Sequence, residues 1–165
     1  LRAAILADLP ALLADFNAMR AAEGAALAGI LTAQIDRIAD LVTQAKAAAI
    51  ARQDEAAQSL RDAVARVLAQ SDGVDPARLA QELALLAVKT DITEEIDRLT
   101  AHLQAARALL AEAGQIGRKF DFLAQEFLRE ANTLCSKAQS ITLTRIGLDL
   151  KTVIDQMREQ VQNVE

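Results

Sequence analysis

Tryptophan and tyrosine are missing from this chain of 165 residues, and four phenylalanines supply all of its aromatic character. An apolar content of 52% therefore rests on alanine and aliphatic side chains, which favours closely packed helices. Proline and glycine are scarce, with 2 and 6 copies, so loops are expected to be few and short. A single cysteine, Cys135, excludes an intrachain disulfide and any multi-cysteine metal site, and fits a reducing cytoplasm. His102 is the only histidine, which excludes a histidine-rich metal site. No apolar run reaches the roughly 18 residues that a membrane-spanning helix needs, and no signal peptide is visible, so no membrane partner is expected. Excess positive charge is lacking too: the formal net charge is −5, which argues against a wholly basic nucleic-acid binder. Residues 117–145 nevertheless hold five Lys/Arg against three Asp/Glu, a local surplus of positive charge.

What is present is helical periodicity. Leu13, Phe16, Leu27, Leu31, Ile35, Ile38 and Val42 share one face of a segment running from about Pro10 to Ile50. A second segment is expected over roughly 53–70. "SDGVDP" then writes a turn, with Asp75 as N-cap and Pro76 at the first helical position. Helices over about 76–88, 92–113, 117–137 and 142–164 follow, the second after a capping-box spacing of Asp91 and Glu94. No stretch alternates convincingly as a strand. The expected fold is all-α, a bundle of five or six amphipathic helices, two of them long. Residues 1–74 read as scaffold and oligomerisation helices, and 75–165 as a C-terminal helical bundle.

The stretch "GRKFDFLAQEFLREANTLCSK" (117–137) carries the strongest functional signal. On a helical wheel, Phe120, Leu123, Ala124, Phe127, Leu128, Ala131, Leu134 and Cys135 form a core face. Arg118, Gln125, Arg129, Asn132 and Ser136 form one polar stripe; Lys119, Glu126, Glu130 and Lys137 form the next. Phe122 falls in the middle of the polar side, where it needs a partner helix, another subunit or a ligand. The preceding helix has a stripe of its own, Asp91, Glu95, Arg98 and His102. The "GQIG" break between the two predicts an antiparallel hairpin around 92–137. Its register sets His102 opposite Arg129 and Glu130, and Glu95 opposite Ser136 and Lys137.

Two carboxylates with a histidine can bind a divalent metal or exchange protons, and flanking cations can hold phosphates. Oxygen-rich donors suit magnesium or manganese. The same spacing also describes ordinary interhelical pairs, Glu95 with Lys137 and His102 with Glu130. Arg20, inside an apolar stripe, reads as a structural pair or an N-terminal ligand. Cys135 reads as an inert buried thiol. Phe122 reads as an interface contact or a base-stacking platform.

The 117–137 motif, "DITEEIDRLTAH", "MRAAEGAAL", "RLAQELALLAVKTDI" and the closing "REQVQNVE" resemble the YicC/YloC family of bacterial endoribonucleases, in order along the chain. Ala101 and Ala106 depart from the Ser and the aromatic residue usual at these places in the family. The resemblance leaves the family's N-terminal domain outside this sequence. It implies cleavage of single-stranded RNA, assisted by a divalent metal, in a multimeric bacterial assembly, and other RNA-decay proteins are expected as partners. On that reading Glu95, Glu126 and Glu130 hold the metal, and His102, Glu126 and Glu130 carry the chemistry. Arg20, Arg98, Arg118, Lys119, Phe122, Arg129 and Lys137 bind RNA. The alternative is a non-catalytic helical module that oligomerises and binds RNA or a ribonuclease, with the chemistry in the N-terminal domain.

Overall fold

The computed structural model of the chain describes residues 2–70, 75–112 and 114–162. Among them are five helices and no strand: α1 (Arg2–Gln70), α2 (Pro76–Thr90), α3 (Thr93–Ala111), α4 (Gly117–Lys137) and α5 (Ile141–Val161). The all-α expectation holds.

One expected boundary is absent. Residues 10–50 and 53–70 belong to the single 69-residue helix α1, roughly 100 Å long at 1.5 Å per residue. "AKAAAIARQDEAAQ" contains neither glycine nor proline, so nothing in it stops a helix. Pro10 lies inside α1 rather than at its start. The turn expected over residues 71–74 lies outside the described residues. Asp75 caps α2 as its spacing predicts, accepting the Ala77 amide at 2.9 Å. Asp91 does not form the expected capping box. Ile92 is the N-cap of α3, and Asp91 accepts the Thr93 amide at 2.9 Å from one residue further out.

The core lies among four helices. α3 packs on α4, α4 on α5, α5 on α1, and α1 back on α3, closing a ring. α1 contributes Leu31, Ile35, Ile38, Leu41, Val42 and Ala45 to this core, so the packing crosses from the first half of the chain into the second. Phe120 and Phe127 of α4 are fully buried, as the wheel predicts. Truncating either to alanine would cost about 3–5 kcal/mol.

The apolar stripe of α1 outruns its partners. Leu31 to Val42 are buried, whereas Leu6, Leu9, Leu12, Leu13, Phe16 and Met19 are exposed. Arg20 lies on this exposed part with its guanidinium 5.8 Å from the centre of the Phe16 ring, so it is not held within the core. Among the described residues no helix is long and apolar enough to cross a membrane.

Candidate metal and RNA site

The hairpin of α3 and α4 brings the two polar stripes together. Partner numbers on α4 fall as those on α3 rise, which is antiparallel register. At one end Lys137 Nζ donates to Glu95 Oε1 at 2.8 Å. In the middle Arg98 Nη1 donates to Glu130 Oε1 at 3.3 Å. Beyond it His102, Glu126 and Glu130 each offer one ligand atom, and these atoms all lie within 4.8 Å of one another.

Burial separates these groups by role. Among the described residues, Glu95 and Glu130 are the two buried charged ones, at 4% and 3% exposure. A carboxylate so placed needs a cation or hydrogen-bond donors. Arg98 meets that need for Glu130 and is itself held by Glu94, one helical turn before it. These hydrogen bonds, that to Glu130 foremost, raise the Arg98 guanidinium above its ordinary range. Lys137 meets the need for one oxygen of Glu95, while Glu95 Oε2 is buried without a hydrogen-bond partner. His102 Nε2 is likewise buried without one, and its ring lies edge-on to Phe127 with centroids 5.5 Å apart. Glu126 sits at the mouth of the group, with about half its side chain exposed and Arg129 at 3.8 Å.

The donor set fits a divalent cation. The two carboxylates supply the oxygen donors that manganese and magnesium accept, and the imidazole adds a nitrogen donor that suits a transition metal such as manganese better than magnesium. An orphaned buried ring nitrogen is a costly group that a ligand would satisfy. Of the expected metal ligands, Glu126 and Glu130 lie together with His102, whereas Glu95 lies outside that group and is tied to Lys137.

The cations expected to bind RNA are distributed unevenly. Arg98 and Lys137 are engaged with buried carboxylates, and Lys119 pairs with Glu112 at 2.7 Å. Arg118 is exposed and, among the described residues, has no ion-pair partner. Arg129 and Phe122 are exposed on the same helix, Phe122 at 62%. Sequence reasoning assigned Glu94 to a capping box and missed its pairing with Arg98. Its signal was legible, since a glutamate four residues before an arginine is the favourable helical order.

A family model described as "Endoribonuclease YicC-like, C-terminal" matches residues 44–165, which include all of α3, α4 and α5. The chain belongs to the YicC-like family. A relative from Haemophilus influenzae named "Probable endoribonuclease YicC" is 41% identical over 158 residues, covering 93% of this chain and 53% of the relative. Another of the same name, from Clostridioides difficile, is 33% identical over 147 residues, covering 89% of this chain and 50% of the relative. The chain thus spans about half the length of these YicC relatives, and the region matched by the family model contains the whole His102–Glu126–Glu130 group.

Proposed function

We propose that this chain is part of an endoribonuclease that cleaves single-stranded RNA at the α3–α4 seam, with a divalent cation, manganese or magnesium, held by His102, Glu126 and Glu130. The observation that carries the reading is the convergence of these three donors within 4.8 Å beside a buried ring nitrogen that has no partner. The names of the relatives supply the reaction class. When bound, such a cation offers Lewis-acid polarisation of a phosphate and a lower pKa for an attacking water. The chain's own residues do the rest. Arg98 donates to Glu130 Oε1 and so fixes the orientation of that carboxylate. Glu126, half exposed, is the group that an incoming phosphodiester meets first. Arg118 and Arg129 supply positive charge along the exposed side of α4, where an RNA backbone can lie.

A labelled single-stranded RNA incubated with the chain, with and without manganese, tests this reading. Manganese-dependent cleavage that Glu126→Gln and Glu130→Gln each abolish, with folding intact, is the expected result. Absence of cleavage by the wild-type chain favours the second reading, a non-catalytic oligomerisation and RNA-binding module. One observation supports that second reading: the row of exposed Leu6, Leu9, Leu13 and Phe16 on α1, which suits self-association. A deoxy substitution at the scissile ribose distinguishes two chemistries. Continued cleavage excludes attack by the 2′-hydroxyl.

A further inference from the structure

Phe122 is 62% exposed on a helix whose two other phenylalanines, Phe120 and Phe127, are completely buried. Such exposure is not explained by the fold of the bundle, because the core face of α4 is already complete without it. Its neighbours on the helix are informative. At 100° per residue, Arg118 and Arg129 lie within about 40° of Phe122 around the axis, one turn below and two turns above it. The aromatic ring therefore stands in a line of two guanidinium groups. Arg118 has no ion-pair partner among the described residues, so its charge is available to a phosphate. The step from Phe122 to Glu126 is one helical turn, about 6 Å along the axis. An aromatic face thus sits beside the His102–Glu126–Glu130 group.

We propose that Phe122 is a nucleobase subsite: an unpaired base of single-stranded RNA stacks on its ring while Arg118 and Arg129 take the flanking phosphates. This rests on the reading of the seam as an RNA-cleaving site and deepens it, since it names what selects single strands. Every base has a π-face, so stacking of this kind tolerates sequence but needs the base to be unpaired. A duplex hides those faces and cannot use the ring. The charge line argues for a nucleic acid over an apolar protein partner, because two exposed arginines beside the ring would be desolvated in a dry protein contact.

The test is fluorescence anisotropy of the 165-residue chain with a labelled, uncleavable 2′-O-methyl single strand in EDTA. Phe122→Ala is expected to weaken binding about tenfold, equivalent to about 1.4 kcal/mol. Phe122→Trp retains binding, whereas Phe122→Leu behaves like Phe122→Ala, since leucine keeps apolar area but has no π-face. Removing bases from the strand weakens the wild-type chain and leaves Phe122→Ala unaffected. Overturning results are equal binding by wild type and Phe122→Ala, full retention by Phe122→Leu, or a change in oligomeric state of Phe122→Ala without a change in RNA affinity. The last would make this surface a protein contact. Calorimetric titration with manganese keeps the two readings apart. Phe122→Ala leaves manganese binding unchanged, and Glu130→Gln abolishes it while keeping the response of RNA binding to Phe122→Ala. Loss of the stacking effect with manganese binding intact sinks the subsite alone, and absent manganese binding with stacking intact sinks the metal site alone.

Discussion

Arg98 and Glu130 face each other across the α3–α4 seam, with the arginine Nη1 3.3 Å from Oε1 of a glutamate whose side chain is only 4% exposed. The pair joins the two helices and also sets which way a proposed metal ligand points. Arg98→Ala should lower the urea midpoint of unfolding, because it leaves a buried carboxylate without its cation. It should also weaken manganese binding by about tenfold, as loss of a group that orients a ligand usually does. Arg98→Lys should recover part of both, since it restores charge but not the planar fork. Equal manganese affinity in all three proteins would show that Arg98 does not position Glu130.

The proposed metal binding has a readout that needs no RNA. A ligand that binds only the folded chain stabilises it by about 2.7 kcal/mol at a hundred times its dissociation constant. Manganese should therefore raise the thermal midpoint of the wild-type chain, and Glu126→Gln or Glu130→Gln should abolish the rise. Glu95→Gln should keep it, because Glu95 lies outside the ligand group and contacts Lys137.

The Lys137–Glu95 pair is more deeply buried, with side-chain exposures of 26% and 5%. Lys137→Ala should cost about 3 kcal/mol, chiefly by stranding Glu95 without a cation. The double change Lys137→Met with Glu95→Leu should cost less than Lys137→Ala alone, since two apolar groups need no partners. Denaturant unfolding of the three variants decides this. A double variant weaker than the single would mean that the pair contributes more than it costs to bury.

Gly147 of α5 packs directly against α4. A Cβ added there would run into Cys135 Sγ, with Leu134 Cδ2 at 3.3 Å. Gly147→Ala should destabilise by about 1–3 kcal/mol through overpacking, and Cys135→Ala in the same chain should recover most of the loss. Burial raises the Cys135 thiol above its ordinary range, against a smaller opposing effect of Lys151. Less of it is thiolate at any given pH, so alkylation at pH 8 should be slower than for an exposed thiol.

Acid should weaken the entry into α3. Hydrogen bonds from Thr93 hold the Asp91 carboxyl below its ordinary value of 3.8. A depressed carboxylate contributes stability that is present above its unfolded pKa and is lost as pH falls through the folded one. Its contribution should therefore be intact at neutral pH and disappear below pH 3.8. Thr93→Ala removes the side-chain hydrogen bond and should move the Asp91 titration upward by NMR. An unchanged titration would refute this account.

Much of the α3–α4 hairpin was legible in the sequence. Of the core face that helical spacing identified on α4, Phe120, Ala124, Phe127, Ala131 and Leu134 are buried, while Leu123, Leu128 and Cys135 are only partly so, and the "GQIG" break made the hairpin antiparallel. Register then placed Glu95 near Lys137 and His102 near Glu130, and both proximities are present. Asp91 shows where local reading ran short. Its spacing to Glu94 fits a capping box, but the helix begins one residue later, and Glu94 turns to Arg98 instead. Two partners competed for one side chain, and a pattern of spacing cannot rank them.

Sequence periodicity by itself determined that this chain is helical and which face of α4 is apolar, because both follow from side-chain identity at 3.6-residue spacing. Only the tertiary structure decided which parts of those faces find partners. The stripe of α1 is apolar at Phe16 as it is at Ile35, yet Ile35 is buried in the core shared with α3, α4 and α5, and Phe16 is exposed. The same holds for the charges. Glu126, Glu130 and Glu95 are alike in sequence, but packing buries two of them, gives one to Lys137, and leaves Glu130 beside Glu126 and His102. A carboxylate takes its role from which cations and donors the fold brings within a few ångströms, and that is set by contacts between helices.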